Sequence, residues 1–267
     1  MPSVSVVIPT YNEAQNLPHV FARLPVEVDE VIVVDGHSTD GTPAVARQLR
    51  PDVRVVTQTR KGKGNALACG SAAATGDIIA LIDADGSTDP REIPQFVDAL
   101  LNGADFAKGT RFAAGGGSSD ITPLRSAGNK VLCGIFNLLY GTRYSDLCYG
   151  FNAFWRQHLR AFGFEGADSD GTAAQPGSDG TAAETAPRWG DGFEIEALMS
   201  IRASTAELAV AEVASFEHSR IHGTSNLSTF RDGYRVLRTI LTERRRSRRA
   251  VADVPADRPE LAGQSAA

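Results

Sequence analysis

Short apolar runs alternate with amphipathic stretches through the first 110 residues. Ser5–Ile8 is the first apolar run, and Val31–Val34, Val53–Thr57, Ile78–Ile82 and Ala104–Lys108 follow it. Runs this short and this continuous predict strands buried on both faces. Between them lie helical patterns. Asn12 with Gln15 has capping-box spacing, and Leu17, Val20, Phe21 and Leu24 then form one helical stripe. Thr39–Arg50 reads as a second helix, and Asn65–Thr75 as a small-residue helix packed close to a neighbour. Pro90–Asn102 is the next, with Ile93, Phe96, Val97 and Leu100 facing inward. Strand–helix alternation predicts an α/β fold whose mostly parallel central sheet is flanked by helices. Such sheets bind ligands beyond the carboxyl ends of their strands.

The second half is less regular. Ala113–Asp120 is a Gly/Ser-rich loop, Leu124–Tyr140 a helix and Cys148–Trp155 a strand. Glu165–Arg188 holds almost no large apolar residue and is expected to be a disordered insertion. Gly192–Arg202 reads as a helix, and Glu207–Glu217 as a strand with Leu208, Val210 and Val213 alternating. Ser228–Thr242 is amphipathic, with Phe230, Tyr234, Leu237 and Leu241 on one face, and it runs into five arginines between 244 and 249. The expected organisation is one domain over 1–230, a basic amphipathic helix over 228–249, and a disordered tail over 250–267.

Composition narrows the function. The 267 residues carry 27 basic and 32 acidic side chains, which argues against a general nucleic-acid binder. Cys69, Cys133 and Cys148 lack CxxC spacing, so neither a disulfide scaffold nor a cysteine zinc site is indicated. No signal peptide and no run of ~18 apolar residues is found, which makes a cytoplasmic location the expectation.

Candidate chemistry gathers after the strands. Asp83-Ala84-Asp85 puts two carboxylates at a strand end, where they suit either a hard divalent cation or an acidic turn. Asp35-Gly36 offers a carboxylate to a base or ribose, or else a plain turn. His37 has no metal partner in the sequence and reads as a loop residue. Arg60–Asn65 sets three cations among two glycines before a helix, a phosphate cradle or an ordinary basic loop.

In combination these residues carry a resemblance. Val6-Val7-Ile8-Pro9-Thr10-Tyr11-Asn12-Glu13, Val33 through Thr42 around Asp35, Lys61-Gly62-Lys63-Gly64-Asn65-Ala66 and Asp83-Ala84-Asp85 resemble the ordered signatures of the inverting family 2 glycosyltransferases. The likeness is strong over about 3–112 and weaker to about 241. It is most similar in style to the dolichol- and polyprenyl-phosphate mannose synthases. It implies a single GT-A domain and one sugar transferred from GDP-mannose or a UDP-hexose to a polyprenyl phosphate, with Mg²⁺ or Mn²⁺. It implies that Pro9, Tyr11, Glu13, Asp35, Lys63, Asp83 and Ala84 bind the nucleotide, and that Asp83 and Asp85 hold the metal. Arg111, Arg125, Asn129 and Arg220 would face phosphates, with Asp85 and Arg111 closest to the chemistry; Asp191 joins these catalytic candidates from the chemistry of the acceptor. Gly36 stands where the family often has Asp, Ser87 where the mannose synthases often have Gln, Asn129 where Ser is usual, and Asn226 where Lys is usual.

A lipid phosphate is already a nucleophile and needs no strong base, whereas a hydroxyl acceptor does. Asp191 and Glu194 are the candidates for such a base, or else helix N-terminal acids. The arginine cluster suits peripheral contact with an anionic membrane, or a solvated helix end. The alternatives are transfer to a hydroxyl of a soluble metabolite or polysaccharide, a sugar-1-phosphate nucleotidyltransferase, and a catalytically silent nucleotide-binding module.

Overall fold

A computed structural model describes residues 1–164, 189–224 and 228–252, with side chains described up to 246. The expected insertion at 165–188, most of the tail, and Asn226 lie outside the described residues. The strands are β1 (Val4–Thr10), β2 (Glu30–Asp35), β3 (Arg54–Thr57), β4 (Ile78–Leu81), β5 (Phe106–Thr110), β6 (Gly117–Ser118), β7 (Asn152–Trp155), β8 (Val210–Ala214) and β9 (Phe216–Glu217). The helices are α1 (Leu17–Phe21), α2 (Thr42–Leu49), α3 (Lys63–Ala73), α4 (Ile93–Leu101), α5 (Pro123–Tyr140), α6 (Ile195–Thr205) and α7 (Thr229–Ala252).

Seven strands form the main sheet in the order β3-β2-β1-β4-β7-β5-β8. All neighbours are parallel except β7, which runs antiparallel between β4 and β5. The register brings the carboxyl ends of β1, β2 and β3 level, and β4 ends three residues earlier. Thr10 lies opposite Asp35, and Val7 opposite Leu81.

Both sheet faces are covered, which is why the strands read as continuous apolar runs. Val6, Ile8 and Val33 pack with Leu17, Phe96 and Phe151 on one face. Val7, Ile32 and Val34 pack with Leu67, Phe154 and Leu198 on the other. Burial of each such side chain contributes about 1.5–3 kcal/mol. The small-residue character of α3 has a direct cause at Gly70. A Cβ there would stand 2.4 Å from Val7 Cγ1 and 2.6 Å from Val34 Cγ2, so only glycine lets this helix lie on β1 and β2. A third cluster joins α5, α6 and α7 through Cys133, Phe136, Ala197, Ile201, Val236 and Ile240.

Two local expectations are corrected. Asn12 does not cap α1, which begins only at Leu17. Its backbone is left-handed (φ 57°), and its Oδ1 accepts from Thr39 N–H at 2.8 Å, tying the loop after β1 to the loop after β2. In α7 the core-facing side is Val236 and Ile240, while Phe230, Tyr234 and Leu241 are exposed. Packing onto α5 and α6 selected a face offset from the most apolar stripe.

Candidate active site

The site is built where β4 ends. After Leu81 and Ile82 the chain turns through Asp83-Ala84-Asp85-Gly86. Asp85 Oδ1 shapes this turn, accepting from Ser87 N–H at 2.9 Å and Ser87 Oγ at 2.6 Å. Gly86 has φ 79°, a left-handed conformation that a side chain would strain.

Each carboxylate of the pair meets a cation. Lys63 Nζ, at the start of α3, is 2.6 Å from Asp83 Oδ1 and 2.9 Å from Glu196 Oε1. Arg220 spans Asp85 Oδ2 at 3.0 Å and Glu13 Oε1 at 2.9 Å. Burial pulls the Lys63 ammonium pKa down, but the Asp83 and Glu196 charges outweigh it and hold it above the usual lysine range. Burial pushes the Asp83 carboxyl up against the pull of Lys63, and Asp85 adds to the rise. The cluster thus sets Glu13, Asp83, Asp85 and Glu196 against two cations, leaving an excess of two negative charges.

That excess, offered by oxygen ligands alone, fits a hard divalent cation on Asp83 and Asp85. Among the described residues no three His, Cys, Asp or Glu side chains converge on one metal position. The remaining ligands would come from a bound diphosphate and water. Gly150 keeps the space over this pair open, since a Cβ there would lie 2.6 Å from Lys63 Nζ and 2.8 Å from Asp83 Oδ2.

Arg220 belongs to a strap that leaves β9 and crosses the turn. His218 N–H donates to Ser87 O at 2.8 Å, and Ile221 N–H to Asp85 O at 3.1 Å. His222 and Asn16 then pair reciprocally, with bonds of 3.0 and 3.1 Å. The strap therefore clips the Asp83–Asp85 turn to the start of α1.

The loops after β1 and β2 form the neighbouring wall. Asp35 is buried and accepts from Ser38 N–H at 3.1 Å, and Gly36 N–H donates to Thr10 O at 2.8 Å. Pro9 leads into Tyr11, whose ring is exposed beside these loops. Such a ring is available for stacking on a planar base.

The other sequence candidates lie in tight pairs. Arg111 is buried, with Asp146 holding its Nε at 2.7 Å and Nη2 at 3.0 Å, and Glu217 holding Nη1 at 3.0 Å. Arg125 pairs with Asp120 at 3.1 Å near the start of α5. Asn129 is buried one turn further on, bonding Ser145 O and Leu147 N–H. Asp191 is buried in a two-point pair with Arg60 at 2.9 and 3.0 Å. Glu194 Oε1 accepts from Gly192 N–H at 3.3 Å.

The glycines of the Lys61–Gly64 loop have a different cause from the one the sequence suggested. A Cβ on Gly62 or Gly64 would stand about 2 Å from Asp191 O or Gly190 O. They admit the backbone before α6, with Gly64 N–H donating to Asp191 O at 2.8 Å.

Three residues escaped the sequence reading. Glu196, Asp146 and Lys108 are all buried. Lys108 Nζ donates to Tyr149 O at 2.6 Å, and burial pulls its pKa below the usual lysine range. For Lys108 the available signal was a lone charge in the strand Phe106–Thr110, because a buried charge requires a partner; Glu196 and Asp146 carried no such local signal.

Comparison with known proteins assigns the family. Residues 5–163 match the family model for Glycosyl transferase family 2, so the chain belongs to the family 2 glycosyltransferases. A dolichol-phosphate mannosyltransferase from Pyrococcus furiosus is 39% identical over 120 residues, 42% of this chain and 34% of that protein. A polyprenol monophosphomannose synthase from Mycolicibacterium smegmatis is 34% identical over 180 residues, 64% of this chain and 68% of that protein. An uncharacterized glycosyltransferase from Mycobacterium tuberculosis is matched over 49% of its length, so the chain spans a third to a half of some relatives. Among solved structures, glucosyl-3-phosphoglycerate synthase from Mycobacterium tuberculosis, with Mn²⁺, uridine diphosphate and phosphoglyceric acid, has a TM-score of 0.65. It is 23% identical, covering 91% of this chain and 78% of that one, and it shares the GT-A fold.

Proposed function

We propose that the chain transfers one sugar from a nucleotide-diphosphate sugar to a polyprenyl phosphate, with inversion and with a divalent metal. The observation that carries this is the carboxylate cluster at the carboxyl edge, two negative charges in excess and interleaved with Lys63 and Arg220. Asp83 and Asp85 hold Mg²⁺ or Mn²⁺, and the solved neighbour with Mn²⁺ and uridine diphosphate supports this. A cation held there would supply positive charge against the negative charge building on the departing diphosphate. Arg220 leaves Asp85 for the diphosphate oxygens, so its positive charge stays in the site as the leaving group forms. Tyr11 and Asp35 receive the base and ribose of a GDP- or UDP-sugar. Lys63 holds Asp83 and Glu196 in place through the reaction.

The acceptor phosphate enters beside Arg125 and Asn129, with Arg111 setting the floor through Asp146 and Glu217. Two relatives named for dolichol-phosphate and polyprenol mannose transfer support this choice. So does Asp191, which is committed to Arg60 and suits an acceptor that needs no base. A lipid acceptor would bring the enzyme to a membrane surface, and we take this to be the cytoplasmic face.

The test is transfer with Mn²⁺, scanning GDP-mannose, UDP-glucose and UDP-N-acetylglucosamine against a short-chain polyprenyl phosphate. A lipid-linked sugar is the expected product. Donor hydrolysis without it would overturn the acceptor in favour of a hydroxyl. Absence of any metal-dependent turnover would leave a silent nucleotide-binding module.

A further inference from the structure

Helices α5 and α7 carry a surface that the catalytic edge does not use. On α5, Leu124, Val131 and Leu138 recur every seven residues along one line, opposite the buried Asn129, Cys133 and Phe136. On α7, Phe230, Tyr234 and Leu241 lie away from the buried Val236 and Ile240. The two helices pack together, with Tyr140 Oη donating to Ile240 O at 3.1 Å, and each turns its exposed apolar line away from the cluster they share. Leu138, Phe230 and Tyr234 are 85%, 79% and 68% exposed. Of thirteen exposed large apolar side chains among the described residues, six are on these two helices, too many for scattered surface residues.

Charge singles out the same helices. Between them, α5 and α7 carry ten Lys and Arg against two acids. Seventeen cations and thirty acids are left for the rest of the chain. Both acids are engaged: Asp232 accepts from Ser228 N–H and pairs with Arg235, and Glu243 pairs with Arg246 and binds Trp189 Nε1. Part of the arginine cluster lies over aromatic rings of the chain, Arg244 over Tyr140, and Arg238 and Arg246 over Trp189. Lys130, Arg231 and Arg245 remain exposed.

We infer that this two-helix face docks on an anionic bilayer. The six apolar side chains enter the boundary between headgroups and acyl chains, and the cations meet lipid phosphates. A basic excess beside aromatic and aliphatic side chains is the pattern that an anionic lipid surface attracts. The face deepens the lipid-acceptor reading and rests on it only for its purpose. Arg125, near the start of α5, marks the end of the face next to the proposed acceptor entry.

The experiment is co-sedimentation of the full chain with vesicles of phosphatidylcholine, alone or with phosphatidylglycerol, and without any polyprenyl phosphate. Binding should require the anionic lipid and weaken with salt. Leu138→Glu and Tyr234→Glu should each weaken it about tenfold with unchanged thermal unfolding, while the control Val26→Glu, exposed elsewhere, should not. Absent binding, or equal loss in all three variants, would overturn the proposal. So would a wild-type dimer that Leu138→Glu dissociates, which would assign the face to a second copy. Turnover with a short-chain acceptor in solution is scored separately. Vesicle binding without lipid-linked product would sink the acceptor reading alone, and product without vesicle binding would sink only the docking face.

Discussion

The two edges of the sheet use the same residue types to opposite ends. At the amino edge Glu30 accepts from Ser5 Oγ at 2.6 Å, Thr75 N–H at 2.8 Å and Arg54 at 2.7 Å. Asp77 and Ser3 bond reciprocally there, and Asp29 accepts from Val4 N–H at 2.8 Å. These carboxylates are matched mainly by amides and hydroxyls fixed to the backbone or to short side chains. At the carboxyl edge the matching groups are Lys63 and Arg220, cations on long stems. Short fixed donors cannot leave, whereas a guanidinium can exchange one anion for another. One edge is thereby a fastening, and in the proposed reaction the other is where ligands are traded.

The largest expected effect removes the trade itself. Asp85→Asn should lower metal-dependent turnover by about 10³-fold while circular dichroism stays native, in line with the loss of a preorganised electrostatic partner. Retained turnover would take Asp85 out of the metal site. Next is Lys63→Met, which leaves Asp83 and Glu196 without their cation. A cost of about 3 kcal/mol is expected in urea unfolding. Added Mn²⁺ should raise the melting temperature of this variant more than that of wild type; an equal rise would separate Lys63 from the metal pair.

A smaller change loosens the strap. Arg220→Ala should bind Mn²⁺ several-fold more tightly in nucleotide-free calorimetry, because a competing cation is gone, yet bind nucleoside diphosphate more weakly. Weaker binding of both would make Arg220 a purely structural clip.

The smallest effect belongs to the amino edge. Glu30→Gln should cost about 1–2 kcal/mol through weakened charge-assisted bonds and leave kcat unchanged. Burial would raise the Glu30 pKa, but bonds from Ser5, Thr75 and Arg54 outweigh it and hold it below the usual glutamate range. Its contribution is therefore full above the unfolded pKa and is lost as pH falls through the lowered folded value. The acid limb of stability against pH should be flatter in Glu30→Gln; an unchanged limb would refute the assignment.

Much of this was legible beforehand. The parallel strands, the helices between them, and the concentration of polar residues after β1, β2 and β4 all follow from local patterns. Asp83 and Asp85 stood out because a pair of carboxylates directly after a buried strand is a local signal. Glu196 did not, because its partner Lys63 is 133 positions away along the chain. The same distance hid the reason for Gly62 and Gly64, which answer to the backbone at 190–191.

The amino-acid order by itself determined which segments become strands and helices, and which chemistry stands at the strand ends. Side-chain size, charge and hydrogen-bonding capacity act within a few residues, and those properties are written locally. Only the tertiary structure decided that Arg220 lies across the Asp83–Asp85 turn, that Asp191 is committed to Arg60, and which side of α7 faces inward. Those outcomes depend on which long-range surfaces meet, where burial and charge pairing between distant segments outweigh the preferences of any one of them.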